Sequence, residues 1–269
     1  MDDYRYIRHW VDDLPKMGRL SFSLDDVRRQ FPDMKSQSIL KDLHRLSAAG
    51  KIRSVWRGFY AVVLPDYGFS GDVPPIEYID QLMTYLKIDY YVALLSAASY
   101  QGASHQSPQV FQVMCNKQLR PKSACGIRLE FSSKSRMPKS GIVQKTVKSG
   151  TINISSPALT AIDLMGYPAR SGGINNVASV LAELAESIDL ANLEADLLRS
   201  EPTATIQRLG HLLETVIGEQ ELADDLYNSC KQVGLKFSSA DLVPGQLLNG
   251  TSYDSRWRVS VNYDVEVDK

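Results

Sequence analysis

The apolar residues of the first 50 positions follow helical spacing in three segments. Residues 2–14 place five apolar side chains on one face of a predicted helix: Tyr6, Ile7, Trp10, Val11 and Leu14. A second helix is predicted to start after Ser23, a favourable N-cap residue, and to run to about residue 31. A third is predicted to follow Ser36 as its N-cap and to reach residue 49, with Gly50 ending it; its apolar positions are Ile39, Leu40, Leu43 and Leu46.

Residues 51–63 have the pattern of a β-hairpin. The segments 51–55 and 59–63 contain β-branched and aromatic residues, and Trp56-Arg57-Gly58 between them suits a tight turn. A short strand is also predicted at 19–22. Helix, strand, helix, turn, helix and hairpin is the order of elements in a winged helix-turn-helix, whose hairpin is the wing. The sequence therefore predicts a winged helix-turn-helix DNA-binding domain in residues 1–64.

A linker at about 65–75, with several Pro and Gly residues, is predicted to lead into a larger α+β domain in residues 76–269. Helices are predicted at 76–86 and, as one apolar helix, at 90–100. Four strands are predicted at 110–114, 127–131, 142–146 and 151–154. After Ser156-Pro157 the chain is predicted to be mainly helical, at 157–165, 174–187, 190–198, 203–217 and 219–233, and to end in a strand at 257–265.

Composition is that of a globular protein, but the charge is distributed unevenly. Residues 1–64 hold 12 Lys and Arg against 8 Asp, and residues 65–150 hold 10 against 6 acids. Residues 151–269 hold 8 against 17, so the first half is suited to approach a polyanion and the last third is not.

Three observations point to a cytoplasmic protein without a membrane partner. No apolar stretch reaches the roughly 20 residues that a membrane span needs. The polar, acidic start of the chain does not resemble a signal peptide. The three cysteines form no close pair, so we expect free thiols and neither a disulfide framework nor a zinc site.

The third predicted helix carries the side chains that would read DNA. In a winged helix-turn-helix this helix enters the major groove with its N-terminal end first. Its predicted contact residues can bond to base edges or phosphates, and they are Lys35, Ser36, Gln37, Ser38, Lys41 and Arg45. In the wing, Arg53 and Arg57 are predicted to meet phosphates. The alternative is a protein-binding winged helix on which these residues form a solvated basic face.

A second run of basic residues lies among the predicted strands of the larger domain. One acid, Glu130, interrupts nine Lys and Arg: Lys117, Arg120, Lys122, Arg128, Lys134, Arg136, Lys139, Lys145 and Lys148. They are predicted to form a second nucleic-acid contact surface continuous with the wing. The alternative is that they only keep hairpin loops solvated.

No catalytic constellation stands out in the sequence. It has no P-loop and no G-x-G-x-x-G, and its four histidines are scattered. A restriction-type nuclease needs an E-x-K, whereas Glu130 and Lys134 are four positions apart. A loop or capping role is favoured over a catalytic one for His105, and a plain helix entry over an anion site for residues 170–173. We therefore expect no enzyme activity, no cofactor and no metal.

Four segments of the sequence together are more specific than a winged helix alone. They are residues 51–60 (KIRSVWRGFY), 90–98 (YYVALLSAA), 102–113 (GASHQSPQVFQV) and 171–178 (SGGINNVA), and a generic winged helix would not contain the second and third. With these segments the sequence resembles the AbiEi family of antitoxins, which belong to type IV toxin–antitoxin systems of abortive phage infection.

The resemblance implies a repressor that binds inverted repeats in its own promoter. It also implies a second domain that counters a cognate nucleotidyltransferase toxin, without a stable complex between the two being required. Two alternatives remain open: a viral-defence transcriptional regulator without a toxin partner, and a DNA-processing enzyme. A neighbouring nucleotidyltransferase gene would favour the antitoxin, and metal-dependent cleavage would favour the enzyme.

Overall fold

The computed structural model describes residues 4–67, 73–103, 110–246 and 252–267 of the 269-residue chain, which has a mixed α+β fold. Its first part contains three helices and a small antiparallel sheet with strand order β1-β3-β2. These elements are α1 (Ile7–Asp13), β1 (Ser21–Ser23), α2 (Leu24–Gln30), α3 (Ser36–Ala48), β2 (Ile52–Trp56) and β3 (Phe59–Val62).

The ends of these helices follow from their capping residues. Ser23 is the N-cap of α2 as predicted, since its hydroxyl accepts from the backbone N–H of Asp26 at 3.1 Å and the Asp26 carboxylate accepts from the Ser23 N–H. The N-cap of α3, by contrast, is Lys35, whose carbonyl accepts the first helical bonds, so the prediction for Ser36 is one residue late. Gly50 follows the helix with φ 69°, a conformation that favours glycine.

The three helices and the small sheet enclose a cluster of buried apolar side chains. Trp10 of α1 packs edge-on against Phe22 and Phe31. The inner face of α3 contributes Ile39 and Leu43, each no more than 2% exposed. Burial of this one apolar stripe fixes which side of α3 faces outward.

A six-stranded sheet forms the centre of the rest of the chain. Its strand order is β6-β7-β5-β4-β9-β8, and β5–β7 and β4–β9 pair in parallel. The helix α4 (Ile79–Leu86) precedes the sheet, and α5 (Leu94–Tyr100) follows its first strand. The strands are β4 (Tyr90–Val92), β5 (Val110–Cys115), β6 (Lys122–Ala124), β7 (Ile127–Ser133), β8 (Ile142–Val147) and β9 (Gly150–Ser155).

The prediction of a single helix over residues 90–100 is wrong. Tyr90–Val92 form an inner strand that pairs with β5 on one side and with β9 on the other. The helix begins only at Leu94, after extended backbone at Ala93. A continuous apolar run has no period that separates a buried strand from a buried helix, and this run contains one of each.

The last part of the chain is mainly helical, as predicted, and packs on one face of the large sheet. Ser156 is the N-cap of the first of these helices, as predicted. The helices are α6 (Pro157–Gly166), α7 (Ile174–Leu184), α8 (Ala195–Leu198), α9 (Thr203–His211), which continues as a π-helical turn over Leu212–Ile217, and α10 (Gln220–Val233). A second three-stranded sheet follows, with β10 (Ala240–Asp241), β11 (Ser252–Asp254) and β12 (Val259–Val261).

Two predicted elements of this part are shorter than the sequence indicated. The helix expected over 190–198 is only the four-residue α8, and the strand expected over 257–265 is only β12. Trp257 lies in a turn before β12 and is fully buried. Its indole stands over Gly210 of α9, where a Cβ would lie 2.3 Å from the ring. The alternation that predicted a long strand was therefore produced in part by an aromatic side chain buried from a turn.

The β2–β3 hairpin packs against the larger part of the chain. Val55 and Phe59 belong to the same buried cluster as Ile79 and Leu82 of α4. An isolated fragment of residues 1–64 would expose both hairpin residues to water, so experiments on this region are best made with the full chain. The domain boundary at residue 64 stays a prediction. Within the described part of the chain, no helix is long and apolar enough to cross a membrane.

Candidate functional site

The outer face of α3 is polar and open to solvent. Lys35, Ser36, Gln37, Ser38 and Lys41 are all exposed. Within the described part of the chain their side chains make no hydrogen bond or ion pair, and no side chain caps the first turn. The first turn of a helix has backbone N–H groups without helical partners, which favours phosphate oxygens. Five predicted contact residues therefore share one accessible helix end.

Arg45 lies farther along the same helix and is also exposed. Its guanidinium lies 3.2 Å from a carboxylate oxygen of Asp42, three residues before it. A surface pair of this kind contributes roughly 0–1 kcal/mol and breaks easily. Arg45 can therefore leave Asp42 for a phosphate at little cost.

The tip of the β2–β3 hairpin is held in place by α4. The Tyr85 hydroxyl donates to the carbonyl of Arg57 at 3.1 Å, and its ring lies 5.5 Å from that of Phe59. The Arg57 side chain is exposed, whereas Arg53 on β2 is half-buried. Gly58 sits in the turn with φ 74°, and a Cβ there would meet the Tyr85 hydroxyl at 2.9 Å. The hairpin is thus fixed relative to the larger part of the chain.

The basic residues between 117 and 148 lie at both edges of the large sheet and do not form one patch. Lys117, Arg120 and Lys122 are exposed in and just before β6, the edge strand that lies against β2. Lys145 and Lys148 are exposed on β8 and its following turn, at the opposite edge. Five strand spacings of about 4.8 Å separate the two edges, a distance of about 24 Å. Only the β6 group can be continuous with the hairpin.

The other exposed basic residues between 117 and 148 lie on β7, in the connection after it, or against α5. Arg128 on β7 pairs with Glu130 of the same strand at 3.0 Å. Arg136 and Lys139 are exposed in the connection between β7 and β8. Lys145 lies 5.7 Å from the centre of the Tyr100 ring and donates to the Tyr100 carbonyl.

Lys134 is not a surface residue, and its prediction as part of a nucleic-acid contact is wrong. Its side chain is buried, and its Nζ lies 2.5 Å from an oxygen of Asp163 and 3.0 Å from an oxygen of Glu201. The hydroxyl of Tyr91 donates to the second Asp163 oxygen at 2.8 Å. A buried ammonium needs opposite charge beside it, and two carboxylates supply it here. We call Tyr91, Lys134, Asp163 and Glu201 the buried ion cluster.

Burial dominates the ionisation of this cluster. It raises the pKa of Asp163, although the Lys134 ammonium and the Tyr91 hydroxyl both act to lower it. The pKa of Glu201 is raised for the same reason, again against the effect of Lys134. The pKa of Tyr91 is raised by burial and by the adjacent Asp163 carboxylate, so its hydroxyl stays protonated. One ammonium between two carboxylates favours a state in which one of the two acids is protonated.

A second buried polar junction forms around Gln112 on β5, which is 5% exposed. Its amide oxygen accepts from the N–H of Leu95 at the start of α5, and its amide nitrogen donates to the carbonyl of Arg170. The turn beyond Arg170 has two glycines at positive φ, and the Asn176 side chain donates to the Ser171 carbonyl inside it. The turn is therefore closed by the chain's own groups, in keeping with a plain helix entry.

The buried ion cluster and the Gln112 contacts join segments that are far apart in sequence. A comparison with known families matches the part of the chain that contains both. Residues 91–215 match the family model described as the AbiEi antitoxin C-terminal domain. The chain carries an AbiEi antitoxin C-terminal domain. The match confirms the family resemblance, and it contains both the buried ion cluster and the Gln112 junction.

The AbiEi-containing chain is similar in fold to a solved structure. The RV2827C protein from Mycobacterium tuberculosis is similar with a TM-score of 0.63 at 12% identity, over 94% of this chain and 90% of that one. That likeness extends to the fold alone. An antigenic nucleotidyltransferase-like protein from Paracoccidioides brasiliensis covers 56% of this chain and 90% of its own, at 10% identity and a TM-score of 0.36, too low to carry an argument. A comparison with curated proteins finds no match.

The sequence analysis did not identify the carboxylates that contact Lys134 in the interior of the AbiEi domain. Asp163 and Glu201 are 29 and 67 positions from Lys134, and no local pattern marks them as its partners. Among the described residues no group of three or more His, Cys, Asp or Glu is placed to hold a metal ion. His105, considered for a loop role, lies outside the described residues. Cys115, Cys125 and Cys230 are free thiols, as expected.

Proposed function

We propose that the protein is an antitoxin that also represses its own operon. In this proposal residues 1–64 act as a winged helix-turn-helix, with α3 in the major groove and the β2–β3 hairpin as the wing. The DNA target is a set of inverted repeats in the protein's own promoter, and the AbiEi domain counters a cognate nucleotidyltransferase toxin.

The observation that carries the DNA-binding part is the outer face of α3. The five polar residues of its N-terminal half are exposed and make no hydrogen bond or ion pair within the described chain, although a solvated helix of this length normally gains from ion pairs on its surface. Lys, Gln and Ser at the N-terminal end of a helix can bond to guanine, adenine and phosphate respectively. The small sheet places the Arg57 side chain on the adjoining hairpin, where it can meet the DNA backbone.

The first test separates the two activities in cells. The variant Gln37→Ala/Lys41→Ala is expected to lose repression of a reporter under the protein's own promoter, because both changes remove base-contacting groups from an exposed helix face. The same variant is expected to keep neutralising the adjoining nucleotidyltransferase toxin in a growth assay, because both residues lie outside residues 91–215.

A matched control uses the same residue types at a distant place. Gln144→Ala/Lys148→Ala changes exposed residues at the β8 edge, away from α3, and is expected to leave repression intact. Unchanged repression by the Gln37→Ala/Lys41→Ala variant would remove α3 from the proposed interface. Loss of neutralisation at equal soluble expression would contradict the division of labour.

The β6 edge extends this proposed interface. Lys117, Arg120 and Lys122 stand next to β2, so DNA bound along the hairpin can reach them. Each phosphate neutralised adds roughly 0.9 to the slope of log K against log salt concentration, so the variant Lys117→Ala/Arg120→Ala/Lys122→Ala is expected to flatten that slope by up to about 2.7. Its preference for promoter over unrelated DNA is expected to stay unchanged.

The opposite edge of the sheet provides the control for this slope. The variant Lys139→Ala/Lys145→Ala/Lys148→Ala removes the same number of charges, at positions the proposed interface does not include. Affinities of both variants for promoter DNA at four salt concentrations show whether the β6 residues contact phosphates. Equal slopes for the two variants would show that the β6 group only solvates the protein.

A further inference from the structure

One residue of α3 departs from the amphipathic pattern of the helix. The sequence gives four apolar positions, and three of them, Ile39, Leu43 and Leu46, are buried at 1–7% exposure. The fourth, Leu40, is 49% exposed. About half of Leu40 is therefore open to solvent beside the polar face of the helix, where a bound partner can bury it.

The surroundings of Leu40 are those of the proposed DNA-reading face. In a helix, side chains three and four positions apart are neighbours, so Leu40 lies between Gln37 and His44 on one side of α3. Both neighbours are exposed, and so is Lys41 next to it. Leu40 is thus a single apolar spot among hydrogen-bond donors, within two turns of the N-terminal end of the helix.

The small apolar area of Leu40 and the charge of the residues around it indicate which kind of partner can cover it. The other large exposed apolar residues of this region, Tyr6 and Met17, lie outside α3, so Leu40 has no apolar surface beside it on the helix to form a protein-docking patch. The residues around it are cationic or neutral donors, which suits a polyanion. In the DNA major groove the apolar feature of matching size is the 5-methyl group of thymine.

We propose that Leu40 is a specificity-determining residue that packs against the methyl group of one thymine in each half of the operator. This inference rests on the proposed DNA-binding function and adds a base identity to it. Gln37 and Lys41 would bond to the flanking bases, and Leu40 would favour thymine over cytosine at the position between them.

The experiment uses the full chain and a duplex of its own promoter, with the bound region first located by footprinting. Each thymine in that region is replaced in turn by uracil, which removes only the methyl group. At one thymine position in each half-site, replacement by uracil is expected to weaken binding of the wild-type protein about 4-fold. This factor corresponds to the free energy of burying one methyl-sized group. Leu40→Ala is expected to bind the unmodified duplex more weakly by at least that factor and to be insensitive to uracil at the same position.

Two further variants complete the design. Alanine is the best helix former, so Leu40→Ala keeps α3 intact, and a far-ultraviolet spectrum checks this. Met17→Ala removes an equally exposed apolar side chain elsewhere and is expected to keep the wild-type sensitivity to uracil.

The outcomes distinguish this inference from the function on which it rests. Specific promoter binding with no uracil-sensitive thymine, or with the same sensitivity in Leu40→Ala, would overturn the role of Leu40 and leave the proposed function standing. Equal affinity of the wild-type protein for promoter and scrambled DNA would overturn both.

Discussion

Replacing Lys134 by Met is expected to lower the free energy of unfolding by about 3–5 kcal/mol, the usual cost of removing one partner of a buried ion pair. The change leaves Asp163 and Glu201 buried without their shared counter-charge. Because methionine fills much of the lysine volume, the loss of stability is due more to the missing charge and hydrogen bonds than to changed packing. Urea unfolding of the full chain, followed by circular dichroism, measures the change.

A control variant and a compensating variant test whether the loss of stability comes from the buried charges. Lys148→Met, on the exposed turn after β8, is expected to change stability by no more than about 0.5 kcal/mol. The triple variant Lys134→Met/Asp163→Asn/Glu201→Gln replaces the ammonium and both carboxyl groups by neutral groups and is expected to recover part of the loss, since neutral replacement of buried ions is often tolerated. Equal effects of Lys134→Met and Lys148→Met would show that the buried ion cluster does not contribute to stability.

The second large effect is expected in DNA recognition. In purified protein the variant Gln37→Ala/Lys41→Ala is expected to lose about 1–3 kcal/mol of promoter affinity for each good base contact removed. Affinity for unrelated DNA is expected to fall much less, because it comes from phosphate contacts made by other basic residues. Fluorescence anisotropy with promoter and scrambled duplexes at one salt concentration gives both quantities.

The same titration with Gln144→Ala/Lys148→Ala shows whether position matters. These residues have the same chemistry at the far edge of the sheet, and the promoter preference should match the wild type. A parallel loss of affinity for promoter and scrambled DNA in the α3 variant would assign Gln37 and Lys41 to backbone contact and remove them from base readout.

Two helix starts of this chain were predictable because local chemistry decides them. Ser23 and Ser156 begin helices as predicted because a cap depends on a hydrogen bond within three residues. The run from Tyr90 was assigned wrongly because its strand forms only through pairing with β5 and β9. Helix and strand compete there at equal hydrophobicity, and tertiary context decides between them.

The candidate sites show the same division between local and long-range information. The polar face of α3 was predictable, since helical periodicity places those residues together. Lys134 was grouped with surface lysines because its burial depends on carboxylates contributed by α6 and by the segment before α9. Leu40 was grouped with the buried positions because periodicity alone does not locate the edge of a buried stripe.

The most direct test of the central claim is the affinity of the full chain for its own promoter against a scrambled duplex of equal length and composition, at physiological salt. Specific DNA-binding proteins prefer their sites by at least about 1,000-fold, and we expect a preference of that order here. Equal dissociation constants for the two duplexes would contradict the proposal that this AbiEi-containing protein represses its own promoter through α3.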